Sequence, residues 1–316
     1  MSKKTIAKFS SFVISLSLYC VISTGCFSVS PNDGNLPAND RPKSAYGAPR
    51  IIGRIESKDI NESSGLAASR CQKDVLWTHN DSGGGPFIFA VDTAGKSLGT
   101  WSVSGAKITD WEDMAGFKNA AGECFIYIGD IGNNSRLRGE FTIYRVREPQ
   151  VSDGSSNKKD PLTTAPAESL RFSYPDFRHD AETLMVHPET GAIYVMTKRI
   201  SGAAAVYRIE PNFDGGTQQA KRLGDISVPA IPNGFLTGGA ISPDGTRAVI
   251  CDYFGAYELV LPAGAKDFDE IWTEKASIVS LGEREQGEAV SYSADGSSIF
   301  ATSEKKHSPI IEVKRK

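Results

Sequence analysis

Helical periodicity is almost missing from this chain of 316 residues, which excludes an all-α architecture. Net charge is equally scarce. A formal value of −3 argues against a surface built for nucleic acid or anionic lipid. With only four histidines and five cysteines, and no recurring Cys/His spacing, zinc is a poor fit. Two catalytic signatures are also absent: no GxxxxGK[ST] or HExxH occurs, so P-loop NTPases and zincins lose their main support. Long apolar runs are limited to "FSSFVISLSLYCVIST" near the N-terminus, too short and too serine-rich for a membrane span.

That run follows Lys3, Lys4 and Lys8, the pattern of a secretory signal peptide, so residues 1–26 are expected to direct export. Gly25 before Cys26 resembles the bacterial lipobox, in a degenerate form because Ser23 stands where an aliphatic residue is usual. Cys26 is thus a candidate for lipidation. The expected location is the cell envelope, as a lipoprotein, or the extracellular or periplasmic space. Residues 27–48, rich in Pro, Asn and Gly, read as a disordered tether. Residues 49–316 remain for the folded domain.

What fills that domain is repetition. Short Val, Ile, Tyr and Phe runs recur between Gly, Asp, Asn and Pro turns, the all-β pattern, and they align into five units. First strands read "SGLAAS", "EDMAGF", "ETLMVH", "GGAISP" and "EAVSYS"; second strands read "VLWTHND", "FIYIGD", "AIYVMTK", "AVICDY" and "SIFATSE". Two further strands follow in each unit except the last, which runs out of chain. The unmatched "RIIGRIE" at Arg50–Glu56 supplies the missing strand. The pattern predicts a five-bladed β-propeller of four-stranded blades, closed by pairing the N-terminal strand with the C-terminal blade. The second unit is lengthened by "SDGSSNKKDPLTTAPAES", read as a surface loop.

In such a ring, first strands line the central channel, and their starts meet the ends of second strands on one face. That face is acidic. The aligned inner position holds Ser64, Glu112, Glu182, Gly238 and Glu288, with Thr237 beside the glycine. Around it the channel mouth gathers Glu62, His79, Asp81, Asp110, Asp130, His179, Asp180, Lys198, Asp252 and Glu304. Converging carboxylates raise one another's pKa unless a cation joins them, and Ca²⁺, which takes six to eight oxygen ligands, is the expected partner. Its expected ligands are Ser64, Glu112, Glu182, Thr237 and Glu288. The competing expectation is a hydrated channel paired internally through Lys198 and Lys305. Asp113 is read as a partner for a neighbouring turn, Trp111 as packing between blades. Cys71 and Cys124 fall in turns of adjacent blades on the opposite face and are candidates for a disulfide; Cys251 lies within a strand, as a buried thiol.

"DWEDMA", "YIGDIGNN", "YRVREP" and "DAETLMVHPETGAIYVMTK" resemble a group of uncharacterised bacterial secreted or lipoprotein propellers. More remotely, the ring of Ser64, Glu112, Glu182, Thr237 or Gly238, and Glu288 is similar to the inner-strand ring of the calcium-activated nucleotidases, the apyrase family. That resemblance implies an exported five-bladed propeller with central Ca²⁺ that hydrolyses nucleoside di- and triphosphates. Gly238 departs from it by lacking a side-chain oxygen. The leading expectation is an exported propeller holding structural Ca²⁺ and binding a small molecule or protein partner on the same face. It would act as a monomer, with membrane contact only through the N-terminal lipid. A calcium-dependent nucleotide or phosphoester hydrolase comes second, and a glycosidase of the five-bladed furanosidase type, using paired carboxylates, third.

Overall fold

The computed structural model describes residues 45–81, 84–151 and 156–316. The signal-peptide and lipidation expectations, Cys26 included, lie outside them, as does most of the tether. Among the described residues helix is limited to one 3₁₀ segment, Phe268–Thr273, and the rest of the regular structure is strand. Five small sheets are arranged in a ring. Blade 1 runs Ser63–Ala68, Val75–Asn80, Phe87–Asp92, Ser97–Ser102; blade 2 runs Trp111–Lys118, Cys124–Asp130, Phe141–Arg147, Glu168–Ser173. Blade 3 runs Ala181–Val186, Ile193–Arg199, Ala204–Ile209, Lys221–Ile226, and blade 4 Gly238–Ile241, Arg247–Cys251, Ala256–Val260, Ser277–Val279. Blade 5 takes Gly287–Tyr292, Ser298–Ser303 and Pro309–Lys314 from the C-terminal end and Arg50–Arg54 from the N-terminal end, paired antiparallel. The protein is a five-bladed β-propeller.

Successive strand residues point to opposite faces, so a strand between two blades must be apolar on both. Blade 3 illustrates this. Ile193 and Val195 pack toward blade 2, while Tyr194 and Met196 pack toward blade 4. Five buried clusters fill the five gaps in this way. Trp111 is wholly buried between blades 1 and 2, its indole N–H donating to the Lys107 carbonyl at 3.0 Å.

Two features add to the sequence reading. Part of the second-unit insertion is strand: Leu162–Thr163 pairs parallel to the outer strand of blade 1. Thr217–Gln219 does the same for blade 2, so each covers an edge that would otherwise expose unpaired backbone. The described residues also include Tyr46, inside the span read as tether. Tyr46 bridges to Arg315, is buried, and donates its phenol to Glu258 Oε1 at 2.5 Å. On the face away from the acidic mouth, a disulfide joins Cys71 to Cys124 between blades 1 and 2 with Cα atoms 6.1 Å apart, and Cys251 is a buried free thiol.

Candidate functional site

The inner position is built by a repeated backbone device. In blades 1, 2, 3 and 5 the register shifts by one residue at Ser64, Glu112, Glu182 and Glu288 respectively. Each is therefore the extra residue of a β-bulge, which bends the strand and re-aims a side chain. Blade 4 has the same offset: Thr237 N–H donates to the Cys251 carbonyl, and Gly238 is also opposite Cys251. A Cβ on Gly238 would lie 2.2 Å from the Glu288 carbonyl oxygen, so close inter-blade contact demands glycine here.

The hydroxyls at this level serve the ring itself. Ser64 Oγ donates to the Glu112 carbonyl at 2.7 Å, and Thr237 Oγ1 to the Gly287 carbonyl at 3.0 Å. Thr237 thus faces the backbone of blade 5, and blade 4 brings no carboxylate to the centre. Two of the three ring glutamates have partners of their own. Lys198 Nζ lies 2.6 Å from Glu182 Oε2 and 3.2 Å from the Tyr253 hydroxyl. Burial works against the ammonium, but Glu182 and Tyr253 outweigh it and raise its pKa. Glu288 is pushed up to about 9 by burial, by the charges of Glu304 and Glu182 and by a hydrogen bond with Glu304.

Glu112 is the exception. It is 4% exposed, and no hydrogen bond or cation meets its carboxylate among the described residues. Its oxygens complete two triads whose ligand atoms all lie within 4.8 Å of one another: with Asp81 and Asp110, and with Asp180 and Glu182. Burial, then Glu182, Asp81, Asp110 and Asp180, raise its pKa well above the usual carboxylate range. Burial and the charges of Asp81 and Asp180 likewise push Asp110 up to about 6. Gly132 makes room for the pair. A Cβ there would fall 1.9 Å from Glu112 Oε1 and 2.5 Å from Asp110 Oδ2.

The remaining mouth candidates divide into two groups. Glu62 belongs with the acids; it bridges to Glu304 through the backbone, and burial, Asp81 and Glu304 raise its carboxyl. Asp130 instead accepts from the Thr109 and Asp110 amides and pairs with Arg138 at 2.8 Å, fixing the entry to the Glu112 strand. Asp252 caps its own turn through the amides of Phe254 and Gly255 and accepts from the Tyr257 hydroxyl. Their short acidic side chains hold turns. The histidines have partners outside the acid cluster. His79 is fully buried edge-on against Trp111, its pKa lowered to about 4 by burial, and His179 turns to Asp176 and the Tyr207 hydroxyl.

One residue has a larger part than the sequence suggested. Asp113, wholly buried, accepts backbone N–H bonds from Met114 at 2.8 Å, Leu184 at 2.9 Å and Gly239 at 3.2 Å. A single carboxylate thereby ties the inner strands of blades 2, 3 and 4. Burial raises its pKa, while the three amide donors favour the ionised form.

No protein-family model and no curated protein matches the sequence. Among solved structures, the chain is similar to one in a nidogen/laminin complex, at 13% identity and a TM-score of 0.42, covering 77% of this chain and 73% of that one. It is also similar to a gluconolactonase from Xanthomonas campestris, at 11% identity and a TM-score of 0.41, covering 87% and 99% respectively. Likeness at this level carries no functional inference. The chemistry must come from the residues of this chain.

Proposed function

We propose that this propeller is an exported protein that binds a hard divalent cation, Ca²⁺, in its acidic mouth and presents a ligand site on that face. The carrying observation is Glu112, buried without a partner amid four other carboxylates. A buried carboxylate is costly unless neutralised, and an all-oxygen donor set suits calcium. Asp81, Asp110 and Glu112 are the favoured ligands, with Asp180 adjoining; Glu182 already has Lys198. This moves the proposed ion from the axis toward blades 1 and 2. Export is supported by the Cys71–Cys124 disulfide, a bond that persists in oxidising compartments.

A second reading is calcium-dependent hydrolysis of a nucleotide or other phosphoester. A cleft of about 270 Å³ lined by Asp180, Thr197 and Lys198 adjoins the acids, room for an anionic group beside the ion. Phosphate release from nucleoside diphosphates, assayed with and without Ca²⁺, decides between this reading and simple binding.

The cation itself is tested by calorimetric titration and thermal melting of the chelated protein. Ca²⁺ at about 100 times its Kd should stabilise the fold by about 2.7 kcal/mol, while Mg²⁺ does much less. Glu112→Gln should weaken binding at least about tenfold. No heat and no melting shift with Ca²⁺ would overturn the proposal.

A further inference from the structure

Nine large apolar side chains stand exposed among the described residues, and their distribution is lopsided. Three lie on outer strands, Ile51, Leu162 and Ile278, and Val260 ends the third strand of blade 4. The other five project from loops of the mouth face, all on blades 2 to 4. Leu137 (73% exposed) and Phe254 (78%) lie between second and third strands of blades 2 and 4, as Ile200 (76%) does in blade 3. Phe177 (65%) and Ile231 (97%) lie in the loops entering blades 3 and 4. Exposing one such side chain is ordinary, but five on successive loops of one face, and none among the described residues of the same loops of blades 5 and 1, marks an interaction site.

The charge around these tips has one sign. Leu137 stands between Arg136 and Arg138, Phe177 precedes Arg178, and Ile200 follows Arg199. Arg136, Arg178 and Arg199 make no ion pair among the described residues, and Arg178 instead donates to the Leu137 carbonyl at 2.9 Å. Of the nearby acids, Asp176 is held by Tyr207, His179 and Arg222, Glu140 by Arg171 and Thr217, and Asp180, half-buried in the cleft beside Arg136 and Arg199, accepts from the Asn133 amide. The exposed unpaired charge of this rim is therefore positive, a local feature hidden by the overall value of −3.

We infer that the blade 2 to 4 rim docks on an anionic bilayer surface. A bilayer interface accepts separate apolar tips one by one, with arginines held at the headgroups, whereas a protein partner of this rim would need a continuous apolar patch. The arginines stand outermost on this face: Glu112 and Glu182 are buried and Asp81, Asp110 and Asp180 half-buried, while Arg136 and Arg178 are exposed. This inference is independent of the proposed cation.

The test is co-flotation of the folded domain with phosphatidylcholine vesicles, with and without phosphatidylglycerol, in chelator so that no calcium bridge contributes. Binding is expected only with phosphatidylglycerol, weakening as salt is raised. Replacing Arg136, Arg178 and Arg199 by Gln should cost about fivefold in affinity per arginine, and Phe177→Ser with Ile231→Ser at least about tenfold. All five side chains are exposed or at the rim, so melting temperatures should hold. A tryptophan at position 231 offers a direct probe, since the four native tryptophans are buried. With Ile231→Trp, a fluorescence blue shift on adding anionic vesicles is expected. No binding to phosphatidylglycerol vesicles, equal binding to neutral ones, or self-association that buries these tips would each overturn the inference.

Discussion

Glu112 and Asp113 are sequence neighbours of the same chemical type with opposite environments. The bulge separates them, sending one carboxylate into the mouth without a partner and the other into three backbone amides. Asp113→Asn would turn an amide donor toward backbone donors, and should destabilise the fold by about 3 kcal/mol in urea denaturation without altering the mouth carboxylates. The aligned inner position was legible in the sequence because Ser64, Glu112, Glu182, Gly238 and Glu288 recur at the same step of each repeat. Lys198 was legible too as an internal partner, since it stands at the end of the second strand beside Glu182, whereas Glu304 as the partner of Glu288 was not, because two acids give no sign in a sequence that one holds a proton for the other. A pH dependence follows from the second pair. Glu288 titrates at about 9 in the folded protein and near 4.3 when unfolded, so the native state holds the extra proton between these values. Stability contributed by this site is full below the lower value and lost as pH rises through the upper one. Urea midpoints of the metal-free protein should fall from pH 5 to pH 9, and Glu288→Gln should flatten that fall.

At the level of strands, the long alternating or fully apolar segments announce themselves, and all four strands of every blade fall on the segments that the repeats aligned. The edge pairings did not. Leu162–Thr163 and Thr217–Gln219 are two- and three-residue strands, too short to carry a period of two, and they exist only because a neighbouring edge is open to receive them. Tyr46 was missed for a related reason: a lone aromatic in a polar stretch gives no pattern, and its buried place depends on Glu258 and Tyr292 far along the chain. The disulfide works between elements. It closes a separation of 53 residues and ties two blades on the face opposite the mouth, so Cys71→Ser with Cys124→Ser should cost up to about 4 kcal/mol, measured by urea denaturation. Calcium binding should be unaffected, because the bond lies on the other face.

For the molecule as a whole, the ring divides its labour between two ends of one axis and between two arcs of one face. Acids occupy the centre of the mouth, and apolar tips with free arginines occupy the rim over blades 2 to 4. Blade 5 has a different consequence, one of timing. Its outer strand, Arg50–Arg54, leaves the ribosome before any other strand of the ring, yet its partner Pro309–Lys314 is the last to be made. No intermediate length of chain holds a closed circle, so every partial product carries an open sheet edge and an exposed inter-blade surface. A chain shortened before Pro309 is expected to behave like those partial products, degraded by added protease under conditions in which the full chain survives. Such a protein gains from being kept extended until synthesis is complete, which is what passage through an export machine would impose.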